Sequence, residues 1–78
     1  MDEWKVRMIS EYNELKERLS RLHAFIAKYE AGTLDDTVRT SIDILRKQES
    51  IMKEYLNILK TRGDTEGIDL ETGEEIFK

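Results

Sequence analysis

The stretch from residue 4 to residue 29, WKVRMISEYNELKERLSRLHAFIAKY, places an apolar or aromatic side chain at Trp4, Met8, Tyr12, Leu15, Leu19, Leu22, Ile26 and Tyr29. The intervals are 4, 4, 3, 4, 3, 4 and 3, the repeat that holds one stripe on one face of an α-helix. Neither proline nor glycine interrupts it, so one long helix is expected from about Asp2 to Glu30, with Phe25 widening the stripe near its end. A break follows at Ala31-Gly32-Thr33. Gly32 suits the left-handed position after a helix, and Thr33 or Asp35 can cap the next one, with Asp36 in its first turn.

A second helix is expected from about Asp36 to Thr61, its stripe formed by Val38, Ile42, Leu45, Met52, Leu56 and Leu59 and interrupted at Glu49. Ile44, Ile51, Tyr55 and Ile58 form a further row beside it. The combined apolar face is wider than one antiparallel neighbour can cover, and another subunit is its natural cover. Arg62 and Gly63 read as the stop, a cation in the last turn followed by glycine. The short connection makes the helices an antiparallel hairpin.

Residues 64–78 lose the helical period. Ile68-Asp69-Leu70 and Glu75-Ile76-Phe77 flank Glu71-Thr72-Gly73-Glu74, a pattern resembling a hairpin turn. Strands this short are marginal alone, so the segment is expected to be a disordered tail or a small hairpin docked on a neighbour. The expected architecture is all-α: an antiparallel helical hairpin over 1–62 that oligomerises into a compact helical assembly, with a C-terminal tail or β-hairpin over 63–78.

Size supports the oligomer. At 78 residues a chain buries only about 60% of its unfolded surface. Disulfides, a structural metal or association normally supply the missing stability. Cysteine is absent and His23 is the single histidine, so the usual four-ligand zinc site cannot be assembled in one copy. No apolar run reaches signal-peptide or membrane-span length, which leads to the expectation of an intracellular protein without a membrane partner. Charged residues make up 38% of the chain and the net charge is −4. With a pI near 5.0, duplex DNA is a poor partner, and any phosphate must sit in a local pocket of lysine or arginine.

Motifs for catalysis are absent: there is no phosphate-cradling glycine loop, nucleophile elbow or metal-binding histidine pair. His23 lacks a nucleophile or ligand cluster near it in sequence and reads as a surface or interface side chain. Asp35/Asp36 and Glu74/Glu75 read as solvated charge. The chain is therefore expected to be no enzyme and to use no cofactor. Tyr12 stands apart, because in Ser10-Glu11-Tyr12-Asn13-Glu14 a leucine would pack more simply. Two readings are open: a stacking platform for a nucleobase, an interaction of about 1–3 kcal/mol, or an edge residue of the stripe with its hydroxyl in water.

A family resemblance bears on that choice. Trp4, Val6, the run Glu11-Tyr12-Asn13-Glu14-Leu15, Leu19, Leu22 and Ala24-Phe25-Ile26, then Leu34 and Met52-Lys53-Glu54-Tyr55-Leu56-Asn57-Ile58-Leu59, resemble the small phage proteins grouped with crAss-like phage sequences. That group is similar to the phage anti-CBASS sponge proteins. The resemblance covers about Trp4 to Arg62. It implies a helical hexamer that sequesters, without cleavage, cyclic di- or trinucleotide immune signals in the cytoplasm of the infected bacterium. Carried over by position, it implies Tyr12 as the base-stacking residue and Lys28 as the phosphate ligand, with Arg21 or Lys16 as substitutes for Lys28. Thr61 and Arg62 would belong to a second pocket between subunits. For Arg62 the residue-level reading remains a plain helix C-terminal charge. A cyclic dinucleotide is a compact dianion with two base faces, which a two-fold interface offering one tyrosine and one lysine per chain would match. The rival from another class is a structural or adaptor protein whose apolar helical face docks a partner protein. A membrane or nucleic-acid binder ranks below both, since no basic stripe interleaved with aromatics is present.

Overall fold

The computed structural model describes residues 2–34 and 38–76. Helix α1 spans Glu3–Ala31 and helix α2 spans Ile42–Thr65, followed by strands β1 (Ile68–Asp69) and β2 (Glu74–Glu75). The expected first helix is present, and its end carries the expected glycine: Gly32 has φ 71°, and its N–H and that of Thr33 reach back to the Tyr29 and Lys28 carbonyls. Such a left-handed residue satisfies carbonyls that the last turn leaves free.

Helix α2 differs from the expectation at both ends. Its proposed cap Asp35 and first-turn Asp36 lie outside the described residues, but residues 38–40 are not helical, and Thr33 is not the cap. The cap is Ser41, whose Oγ accepts from the Ile44 N–H at 3.3 Å. Ser41 is extended and satisfies a free N–H of the first turn, where Asp43 adds a favourable negative charge. At the other end the helix does not stop at Arg62-Gly63 but runs to Thr65. The left-handed glycine is Gly67, with φ 72°, one turn later.

Gly63 has a different role. It is buried in α2, and a Cβ there would sit 2.8 Å from Leu70 Cγ and 3.1 Å from the Ile68 carbonyl oxygen. The β-hairpin therefore lies directly on the helix backbone, and the cost of a mid-helix glycine, roughly 0.5–1 kcal/mol, is offset by that close approach. Gly63→Val is expected to lift the hairpin, at about 1–3 kcal/mol of overpacking. Hydrogen exchange should then accelerate at the Gly73 and Ile76 amides, which bond to the Asp69 and Gly67 carbonyls, while interior helix amides stay protected. Unchanged exchange at those two amides would show that the hairpin does not depend on this contact.

The two helices pack antiparallel. His23 Nδ1 meets Glu49 Oε2 at 2.7 Å, and near the connection Arg46 pairs with Glu30. At the opposite end Met8, Tyr12 and Leu15 of α1 join Leu59 of α2 in one buried cluster. The predicted stripes supply this core: Met8, Tyr12, Leu15, Ile26, Leu45 and Leu59 are all buried. Trp4 is the exception on α1, 42% exposed at its first turn. Glu49, which breaks the α2 stripe, is placed at its edge, where His23 and Lys53 meet its carboxylate.

The C-terminal segment is the small hairpin, and it docks on its own helices. Ile68 pairs with Glu75 and Asp69 with Glu74. The Asp69 carboxylate accepts from the Glu71 and Thr72 N–H groups, and Gly73 takes φ 75°, which closes the turn. Ile68 and Leu70 enter the cluster with Tyr12 and Leu59, so two-residue strands that would be marginal in isolation are held by burial. Phe77 lies outside the described residues.

Candidate ligand-contacting site

Tyr12 occupies the centre of the core cluster and is 1% exposed. Its ring packs among apolar side chains, and its hydroxyl donates to a carboxylate oxygen of Glu71 on the turn of the β-hairpin. The other Glu71 oxygen accepts from Lys16 Nζ at 2.6 Å, one turn along α1 from Tyr12, and the same ammonium stands 5.9 Å from the Tyr12 ring centroid. The polar end of a buried tyrosine, a lysine and a tail carboxylate thus form one closed network. Every group in it has a partner, as a buried phenol requires.

The network moves both acids. Burial, then the Glu71 hydrogen bond and charge, push the Tyr12 phenol up from 10.0 to about 12. The Lys16 ammonium, followed by the Tyr12 hydroxyl, holds the Glu71 carboxyl below its ordinary 4.5. For Tyr12 the folded state binds the proton more tightly, so its contribution is complete below pH 10.0 and is lost as pH rises through about 12. For Glu71 the folded state favours the anion, so its contribution is present above pH 4.5 and fades on acidification below it. Chemical denaturation across pH should show both declines. Glu71→Gln should remove the acid one, and an unaltered acid limb in that variant would exclude Glu71 as its source.

Lys28 lies in the last turn of α1, exposed, with no ion-pair partner among the described residues. Its carbonyl, rather than its ammonium, is engaged, accepting from Thr33. Sixteen residues separate it from Tyr12, about 24 Å along a helix axis. One protomer therefore does not bring these two side chains together. Thr61 and Arg62 are exposed near the end of α2, at the Tyr12 end of the hairpin. The Thr61 hydroxyl donates to the Asn57 carbonyl at 3.0 Å, and Arg62 makes no side-chain ion pair among the described residues. Of the substitutes for Lys28, Arg21 pairs loosely with Glu17 at 3.4 Å, whereas Lys16 is the one placed beside Tyr12.

Glu71 escaped sequence reasoning because its contact with Tyr12 spans 59 residues and no local pattern marks it. Among the described residues no group of three histidine or acidic side chains gathers to hold a metal. Three hollows lie on the described surface. One of about 210 Å³ lies against Tyr29, Gly32, Leu34 and Val38, and one of about 200 Å³ between Leu15, Arg18 and Tyr55 is flanked by Glu11 and Glu14. An apolar one of about 280 Å³ lies along α2 at Ile44, Lys47, Gln48, Ile51 and Met52. All three fall under the roughly 300 Å³ at which small-molecule pockets begin.

The architecture defines an all-α helical hairpin protein, closed at one end by a short β-hairpin that covers a buried tyrosine. No described helix is long and apolar enough to cross a membrane. The model of the Sequestin family matches residues 2–64, and the chain belongs to that family. The match takes in α1 and nearly all of α2, while the β-hairpin lies beyond it. Comparison with curated proteins and with solved structures finds no match.

Proposed function

We propose that the protein is a phage anti-defence protein that binds and sequesters the cyclic di- or trinucleotide signals of bacterial immunity without cleaving them. It would act as a homo-oligomer, a hexamer, in the cytoplasm of the infected host, within the group related to crAss-like phage sequences. The observation that carries this reading is membership of the Sequestin family over residues 2–64, a family whose name denotes sequestration rather than catalysis. The oligomerising unit is then the helical hairpin of 1–62, with 63–78 as a C-terminal segment whose Ile68 and Leu70 complete its core. Tyr12 and Lys28, and in a second pocket Thr61 and Arg62, are the proposed ligand contacts.

The geometry sets conditions on that pocket. Lys28 and Tyr12 must come from different copies, given their separation along α1. A base can reach the Tyr12 ring only if the β-hairpin moves off it, and Lys16 is then released from Glu71 beside the same ring. The small volume of the three hollows described also favours a pocket completed by a second copy.

The packing of Tyr12 into the core favours the second reading, a structural or adaptor protein that docks a partner through its apolar helical face. Isothermal titration of the purified protein against a panel of cyclic di- and trinucleotides, with mass measured by light scattering in the same buffer, separates the two. Saturable heat with one member, and intact ligand recovered after denaturation, is the expected result. A well-folded oligomer that gives no heat across the panel would leave the adaptor reading standing.

A further inference from the structure

Helix α2 carries two apolar rows, and only one faces α1. Leu45, Met52 and Leu59, spaced by seven, are buried or half-buried against it. Beside them Ile44, Ile51 and Ile58, again spaced by seven, are 60%, 55% and 57% exposed, with Tyr55 between them at 40%. Two α-helices stay in contact along their length when apolar residues recur every seven positions, because the repeat keeps one seam facing the partner. A sheet edge or an extended peptide has no use for that period. The exposed row is therefore a seam for a helix.

We infer that the helix it receives is α2 of a second copy, running antiparallel about a two-fold axis. This inference deepens the assembly part of the proposed function and rests on that part, independent of ligand. The charges beside the seam identify the occupant. Lys47 and Glu54 stand one heptad apart on its outer flank, and neither has an ion-pair partner among the described residues. In an antiparallel pair with Ile51 opposite the partner's Gln48, Ile44 faces the partner's Tyr55 and Lys47 faces the partner's Glu54, and by symmetry each pairing occurs twice. The apolar hollow of about 280 Å³ at Ile44, Lys47, Gln48 and Ile51 lies where the partner's Tyr55 ring arrives. A parallel pair brings no such charges together, because the other flank of the seam is the apolar row already buried against α1. The face is thus complementary to itself in charge and shape in one orientation, and a two-fold contact of this kind fits any even-numbered assembly, the hexamer included.

The test uses the full chain and sedimentation equilibrium. The wild type should associate. Ile51→Glu should halve its mass, a dimer falling to monomers and a hexamer to trimers, with its circular dichroism unchanged, because Ile51 is exposed in the protomer. Lys47→Glu and Glu54→Lys should each weaken association by roughly tenfold at low salt, and the double reversal should restore it, since it recreates both pairs. A monomeric wild type, an undiminished mass in Ile51→Glu, or a double reversal no stronger than either single change would each overturn the inference. An intact α2-dependent oligomer that binds no cyclic oligonucleotide would instead sink the sequestration reading and leave the seam standing.

Discussion

Tyr12→Ala is expected to destabilise the protein by about 3–5 kcal/mol, the usual range for deleting a buried aromatic ring. At roughly 0.05–0.15 kcal/mol per residue, about 4–12 kcal/mol for a chain of this size, the substitution removes a large share of the total. The reason is position: the ring is 1% exposed and touches the cluster formed by both helices and the β-hairpin. On the sequence alone, a stacking tyrosine on the helix face should be removable with helicity and oligomer mass intact. The structure makes that substitution a stability experiment. Tyr12→Phe keeps the ring and deletes only the hydroxyl that donates to Glu71, so it is the variant for ligand work. Urea denaturation followed by circular dichroism reads the difference. A loss under about 1 kcal/mol in Tyr12→Ala would mean that the hairpin stands open in solution, which the sequestration reading welcomes and the closed packing does not.

Leu59→Ala should cost about 2–5 kcal/mol. Leu59 is 0% exposed and is the α2 member of the cluster that takes in Met8, Tyr12 and Leu15 from α1 and Ile68 and Leu70 from the hairpin. Truncation opens a cavity where three elements meet, and none can collapse into it without leaving another. The melting temperature should fall steeply, and α2 and the hairpin should lose exchange protection together. A hairpin that stays protected while the helices loosen would show that Ile68 and Leu70 find their stability elsewhere.

The helical stripes were legible because period is a local property. The intervals from Trp4 to Tyr29 identify α1, and Met8, Tyr12, Leu15 and Ile26, all on that stripe, are the residues buried. The bounds of α2 were less so. Aspartates, serines and threonines all have capping chemistry, and Ser41 is the cap because its Oγ meets the Ile44 N–H. Gly63 read as a stop since glycine after a basic residue usually is one, yet here it makes room for Leu70. Of the candidate site, Tyr12 stood out by residue type, whereas the carboxylate that satisfies it came from a turn whose local sequence says nothing about its destination.

By itself the sequence determined two amphipathic helices, their antiparallel pairing, a chain without cysteine or catalytic motif, and a second apolar row on α2, since all of these follow from composition and from short-range spacing. The tertiary structure alone decided that the C-terminal hairpin folds back on its own chain and that Tyr12 is buried beneath it with Glu71 and Lys16 at its hydroxyl end. Those facts depend on contacts between residues far apart in the chain, whose geometry is set by how the helices and the hairpin pack and by no local pattern.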